Sequence, residues 1–340
     1  MKCVKVPLRQ INDTRIKLLS DELMNMEYRI KTTDEFGYIP INDDIDGYVI
    51  EDIDLEPMKK VPHNFAEILE DELSAEEIEN LKTSFDTIGD IVILEIPDEL
   101  QDKKQIIGDA AYKFTKRKAI YMKKSAIKGT IRVRDLEFLA GVDDSVTIHK
   151  EHGVRLKMDV RKVYFSPRLA TERKRVMESV KDGERILDMF CGIGPFPIVI
   201  ARNKDVDIAA VDINEAAIKY LNENIKLNKL KGRIESYCGD VREVSAGFKT
   251  KFDRIIMNLP GLAYTFLDVS VNLIEDGGII NYYEFSDSYE QGIKRLNDAC
   301  RKAGKEVEII NTRKVKSISP DEWHVAIDGK VTNVTKKERD

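Results

Sequence analysis

Cysteine is scarce. The chain has four, Cys3, Cys191, Cys238 and Cys300, and no two stand in C-x-x-C spacing. Zinc-finger and disulfide-framework patterns are therefore disfavoured, and a reducing cytoplasm is the expected setting. No run of about 18 uncharged apolar residues occurs, so no membrane span is expected. The opening MKCVKVPLRQINDTRIK lacks an apolar h-region, so no signal peptide is expected. There is no internal repeat and no low-complexity tract.

What is present suits a soluble globular enzyme: 42% apolar and 34% charged residues in a chain of 340. At roughly 100–200 residues per domain, that length implies two or three domains. The overall charge of −6 hides an uneven distribution. Residues 1–100 carry −15, residues 101–180 carry +10, and residues 181–340 carry −1. A basic segment within an acidic chain is the kind of local field that attracts nucleic acid. A solvated charged surface is the alternative. Lys123 and Lys124 are the expected phosphate contacts.

Three modules follow from the patterning. Residues 1–57 mix short apolar stretches with acidic turns: RIKLLSDELM reads as a helix, GYIPI and GYVIEDIDL as strands. This is a small N-terminal α/β module, followed by a proline-bearing linker at 58–63. Residues 64–160 form a sheet-rich α+β module. Here 64–85 reads as helical, IGDIVILEI (88–96) as one strand, 99–116 as a helix, and the remainder as half-buried antiparallel sheet. From 161 to 340, strand and helix alternate in the order of a doubly wound parallel sheet, a Rossmann-like α/β fold. Ser166 and Pro167 stand where a helix N-cap and first turn belong, Asn214 caps another helix, and the tail from 306 reads as a hairpin.

The first parallel strand runs into DMFCGIGPF. Asp188, Gly192 and Gly194 make a D-x-x-x-G-x-G turn, with Phe190 inside it; the glycines let the backbone approach a ligand. The dinucleotide fingerprint needs a third glycine where Pro197 stands, and no Walker A lysine is present, so a pyrophosphate cradle is disfavoured. Asp212 closes the next strand and can accept both hydroxyls of a ribose. Asp240 follows the third strand and can accept from an adenine amino group, with the Val241 amide as a donor. A glycine turn, a ribose acid and an adenine acid in that order suit S-adenosylmethionine (AdoMet), which has no phosphates. MNLPG (257–261) ends the fourth strand. The Asn258 amide can bond a target base, as in the N-P-P-Y motif of methyltransferases acting on exocyclic amino groups. Here Leu259 replaces the first proline, and Gly261 stands where the stacking aromatic would be.

VYFSPRLATER, DMFCGIGPF, VDIN, GDVRE and MNLPG occur in this order, with RVRDLEFLAG and TIHKEHG upstream. Together they resemble the archaeal and eukaryotic tRNA (guanine(37)-N1)-methyltransferase family, over about residues 125–330 and more loosely before. The resemblance implies a class I AdoMet-dependent methyltransferase domain, tRNA as partner and a monomer. It implies N1-methylation of the guanine next to the anticodon. It assigns Glu172 as general base, Arg132 as the arginine on O6, and Asn258 as a guanine contact. Arg173, Asp212, Ile213, Asp240, Val241 and Asn258 fall where the family holds AdoMet, and Tyr164 and Pro260 match its pocket wall.

The residues alone leave other readings open. Glu172 stands four residues after Arg168, as in a helical ion pair. Arg132 alternates with Arg134, so either could be a phosphate contact. His149 and His152 are expected to be structural or to touch RNA backbone, no metal ligand set is evident, and Cys191, Trp323 and His324 are expected to pack. Two further functions compete: a wybutosine-pathway enzyme acting at the same position, by aminocarboxypropyl transfer or by methylating a tricyclic guanine, and an RNA-binding protein with a degenerate methyltransferase domain.

Overall fold

The computed structural model describes residues 1–58, 62–124 and 135–334. The chain separates into two compact units, Met1–His63 and Asn64–Asp340.

The first unit contains β1 (Lys2–Pro7), α1 (Ile11–Ser20), β2 (Lys31–Thr32), β3 (Phe36–Pro40) and β4 (Val49–Asp52). The sheet has the order β2-β3-β1-β4 and is antiparallel throughout. Alternation places Val4 and Val6 of β1 on the face that receives Leu18 of α1, with Ile39 and Ile41 beside them. The helix begins and ends earlier than the expected 15–24. It stops at Ser20, and Glu22 takes a left-handed φ of 56° that turns the chain back.

The second unit opens with two short helical pieces where one helix is expected over 64–85. Asn64 caps a 3-10 turn at Phe65–Leu69. Ser74 and Glu77 then form a capping box that starts α2 (Ala75–Asn80). The expected single strand at 88–96 is a hairpin of β5 (Asp86–Ile88) and β6 (Ile91–Leu94). Gly89 makes this turn with φ 59°; a Cβ there would stand 2.1 Å from the Thr147 hydroxyl. α3 (Lys104–Thr115) then crosses to β7 (Ala119–Lys123), which pairs parallel with β6, and β8 (Leu136–Gly141) adds antiparallel. β9 (Val146–Glu151) and β10 (Val154–Asp159) form a hairpin turned at His152–Gly153.

That hairpin packs on the parallel-sheet layer. α4 (Ala170–Ser179), β11 (Arg185–Asp188), α5 (Pro195–Asn203), β12 (Asp207–Asp212) and α6 (Glu215–Leu227) follow it in the chain. Leu156 and Met158 of β10 share a core with Ile198, Val199 and Leu221. Asn224 of α6, fully buried, accepts from the Lys157 amide at 2.7 Å and donates to the carbonyls of Lys157 and Ile193.

β13 (Arg233–Cys238), α7 (Val241–Val244), β14 (Phe252–Met257), α8 (Leu267–Leu273), β15 (Ile274–Ser286), α9 (Glu290–Lys302), β16 (Lys305–Ser319) and β17 (Glu322–Asn333) complete the fold. The large sheet has the order β13-β12-β11-β14-β15-β17-β16, parallel except that β17 runs antiparallel to both neighbours. Both faces are buried. Ile186 and Ile256 pack with Val176 and Phe196 on one side, and Leu187, Ile255 and Met257 pack with Leu267 and Leu296 on the other. Continuous apolar strands are the mark of a doubly wound sheet. Strand order reverses between β11 and β14, where such sheets open a crevice at their carboxyl ends.

Candidate active site

A cleft opens at that switch point. The segments after β11, β12, β13 and β14 line it, together with the approach to α4 and side chains of β15, β16 and β17. Of the expected residues, Tyr164, Arg173, Phe190, Gly192, Asp212, Ile213, Asp240, Val241, Asn258 and Pro260 line this cleft. Glu172, Asp188 and Gly194 stand outside its lining, and Arg132 and Arg134 lie outside the described residues.

The glycine turn is stitched to the end of β12 by one carboxylate. Asp212 accepts from the Gly192 amide at 2.7 Å and from the Asn214 amide at 2.8 Å. Burial raises its pKa, and these backbone hydrogen bonds oppose the rise. Asn214 also caps α6 as expected, accepting from Ala216 and Ala217. Gly194 has φ 87°, and a Cβ on it would stand 2.4 Å from Leu221, so this glycine also serves the packing of α6. Asp188 lies behind the turn, accepting from the Phe190 amide at 3.2 Å. Its other oxygen is buried without a partner; burial, with the Asp212 charge adding to it, pushes the carboxyl up to about 8.

Asp240 begins α7 and accepts from the Arg242 amide at 2.9 Å and from its guanidinium at 2.5 Å. That contact holds Asp240 below the usual carboxylate range. The Arg242 guanidinium lies 4.7 Å over the Phe266 ring, and Phe266 meets Phe190 edge-on at 5.0 Å. Sequence reading missed Arg242 and Phe266. Their only signal was proximity to Asp240 for the first; the second is brought in by the fold.

The entry to α4 differs from expectation in two details. Ser166 makes no side-chain cap; its carbonyl instead accepts from Arg173. Arg173 is buried and forks onto Glu151 at 2.5 Å through both Nε and Nη2, so its guanidinium is largely committed within the protein. Burial would raise the Glu151 pKa, but hydrogen bonds from His149 and Arg173 more than offset it and leave the carboxyl low. The His149 ring packs at a tilt against Phe165, 5.0 Å between centroids, and its Nδ1 accepts from the Gly89 amide, while His152 Nε2 contacts the Ala170 carbonyl at 2.8 Å. Both histidines are held by the protein. No cluster of three metal-ligating side chains occurs among the described residues.

Glu172 is 1% exposed and sits in a side-chain cage. Tyr283 donates to Oε1 at 2.7 Å, Arg175 donates to both oxygens at 2.6 and 3.0 Å, and Arg313 lies 3.5 Å from Oε2. Arg175 also bridges to Asp328 at 2.5 Å. The ion pair with Arg168 that the sequence suggests does not form; Arg168 binds Asp86 at 2.5 Å. The expected phosphate contacts are also engaged internally, Lys123 with Asp86 and Glu95, and Lys124 with Glu137.

Asn258 closes β14 with its side-chain oxygen buried and unpartnered. The wall opposite the glycine turn comes from Phe285, Lys316 and His324. His324 does pack, edge-on to Tyr283 at 5.4 Å and Phe285 at 5.7 Å, but it also lines the cleft.

Comparison with known proteins agrees with this architecture. Residues 147–310 match the TRM5/TYW2 methyltransferase domain, residues 65–145 the TYW2 N-terminal domain, and residues 3–49 the tRNA methyltransferase 5 N-terminal domain. The tRNA (guanine(37)-N(1))-methyltransferase Trm5b of Pyrococcus abyssi is 42% identical over 97% of this chain and 98% of its own length. The chain belongs to the TRM5/TYW2 methyltransferase family. Within that family, the tRNA(Phe) (4-demethylwyosine(37)-C(7)) aminocarboxypropyltransferase of Pyrococcus horikoshii is 32% identical over 78% of this chain and 95% of its own. Among solved structures, a complex of aTrm5 and tRNALeu superposes with a TM-score of 0.85 at 38% identity, covering 97% of this chain and 99% of that one. Methanocaldococcus jannaschii Trm5 in complex with adenosine gives a TM-score of 0.69 at 36% identity, covering 98% and 100%.

Proposed function

We propose that this protein transfers the methyl group of AdoMet to N1 of guanine 37, next to the anticodon, in tRNA. The observation that carries the reading is convergence: Asp212, Asp240 and Asn258, at the ends of three strands, open into one cleft beside the glycine turn. The cofactor fits these residues. Asp212 retains acceptor capacity for ribose hydroxyls beyond its two backbone partners, Asp240 and the Val241 amide suit adenine, and the turn carries no cation for a pyrophosphate. When bound, AdoMet supplies an electrophilic methyl group on sulfur.

Guanine N1 carries a proton at neutral pH, and its removal exposes the attacking lone pair. We assign that removal to Glu172. Oε1 is occupied by Tyr283 and Arg175, so Oε2, with the longer contacts, is the oxygen to take the proton. Charge then shifts to guanine O6, where a guanidinium stabilises it; the family resemblance gives this task to Arg132. The unpartnered oxygen of Asn258 accepts from the base. Tyr164 and Pro260 wall the pocket, and Arg173 fixes the wall through Glu151 and Ser166.

The acidic module at 1–57 is proposed to read tRNA shape away from the anticodon, since its charge cannot attract RNA. Residues 58–63 link it to the 64–160 RNA-binding module and the 161–340 catalytic domain. One chain lines the whole cleft among the described residues, which suits a monomer, and four scattered cysteines suit a reducing cytoplasm. No described helix is long and apolar enough to cross a membrane.

Aminocarboxypropyl transfer is the second reading. The P. horikoshii relative covers 78% of this chain, against 97% for the P. abyssi methyltransferase, and residues 3–49 match the methyltransferase 5 N-terminal domain. Incubation with AdoMet of unmodified tRNA and, separately, of tRNA carrying 4-demethylwyosine at position 37, each followed by nucleoside mass spectrometry, separates the readings. The expected product is 1-methylguanosine. An aminocarboxypropyl adduct on the 4-demethylwyosine tRNA, with the unmodified tRNA left unchanged, would establish the second reading, and no product on either tRNA would indicate a binding protein.

A further inference from the structure

Gly261 leaves the MNLPG segment without the aromatic that follows N-P-P in the motif it resembles. The fold brings a ring to the same place from another strand. A Cβ at Gly261 would lie 4.0 Å from Cδ2 and Cε2 of Phe285, so that ring covers the space into which a side chain at 261 would project. The Phe285 amide donates to the Pro260 carbonyl at 3.3 Å, which pins this residue of β15 to the segment. Phe285 pairs with His324 across the sheet, and that ring supports it edge-on at 5.7 Å. The Phe285 side chain is half-buried and lines the same cleft as Asn258, whose buried oxygen lacks a partner.

We propose that Phe285 is the stacking platform for the target base, replacing in space the aromatic that the segment lacks in sequence. Asn258 then accepts from the base edge while Phe285 covers its face. This inference rests on the proposed function, because it presumes a nucleobase in the cleft. Base–aromatic stacking is sequence-tolerant and depends on the ring rather than on a polar group.

The test uses the full-length protein with tRNA. Phe285→Leu should slow single-turnover transfer by about 10–100-fold, the order of one lost stacking contact, with AdoMet affinity by calorimetry unchanged. Phe285→Tyr should stay within a few-fold of the parent. Adding Gly261→Tyr to Phe285→Leu should restore part of the rate by returning a ring at the motif position. In a second readout, an anticodon-stem RNA with 2-aminopurine at the target position should fluoresce more brightly on Phe285→Leu than on the parent, since stacking quenches it. Parent-like transfer by Phe285→Leu, equal loss in the Leu and Tyr variants, or equal bound fluorescence would each overturn the assignment. Failure of the proposed function is distinguished by the parent itself, which would then yield no 1-methylguanosine.

Discussion

On one wall of the cleft, Asp212 is held by the amides of Gly192 and Asn214; on the other side of the sheet's switch point, Glu172 is held by the side chains of Tyr283, Arg175 and Arg313. The first arrangement is rigid, because a backbone donor cannot leave without refolding its loop. The second is adjustable, because side-chain donors can yield one lone pair at a time. That difference suits the proposed roles. A ribose acceptor needs fixed geometry, while a base must exchange a donor for a proton.

The comparison can be broken from either side. The largest effect is expected from Glu172→Gln, which keeps the shape but cannot take the proton: single-turnover transfer should fall by about 10²–10⁴-fold, with AdoMet binding preserved. Arg175→Ala should follow. It leaves Glu172 and Asp328 buried without their shared cation, and such losses cost about 3–5 kcal/mol in urea unfolding. Asp212→Ala removes charge-assisted hydrogen bonds of about 1.5–3 kcal/mol each at most, so AdoMet affinity should drop roughly tenfold or more while tRNA binding holds.

A further effect concerns Asp188 and is a matter of pH. Folded Asp188 keeps its proton up to about pH 8, whereas an unfolded aspartate releases it near pH 4. The stability it contributes is therefore complete below about pH 4, falls as pH rises toward about 8, and is flat beyond. Melting temperatures between pH 5 and pH 8 should decline less in Asp188→Asn than in the parent.

The two sides also differ in how far the sequence reveals them. DMFCGIGPF, VDIN, GDVRE and MNLPG are local: each ligand-facing group lies within a few residues of a strand end, and strand alternation orders them. The Glu172 cage joins α4, β15, β16 and β17, so Tyr283, Arg313 and Asp328 carry no signal near Glu172 in the chain. His324 reaches the cleft because β17 inserts between β15 and β16, and Phe285 because β15 lies beside β14. The misplaced boundaries have local causes. Gly89 turns what reads as one strand into two, and caps at Asn64 and Ser74 split what reads as one helix. Within the basic segment, Lys123, Lys124, Arg161 and Arg168 each meet a carboxylate, a pairing that counting charge along the chain does not reveal.

The most direct test of separate duties on the two sides is a paired measurement on Asp212→Ala and Glu172→Gln. AdoMet affinity and the single-turnover rate at saturating AdoMet would be determined for both with the same tRNA. The account predicts a crossed result: Asp212→Ala loses affinity but recovers most of its rate at saturation, and Glu172→Gln keeps affinity but stays slow. A Glu172→Gln variant that transfers methyl within a few-fold of the parent, or that loses AdoMet as Asp212→Ala does, would contradict it.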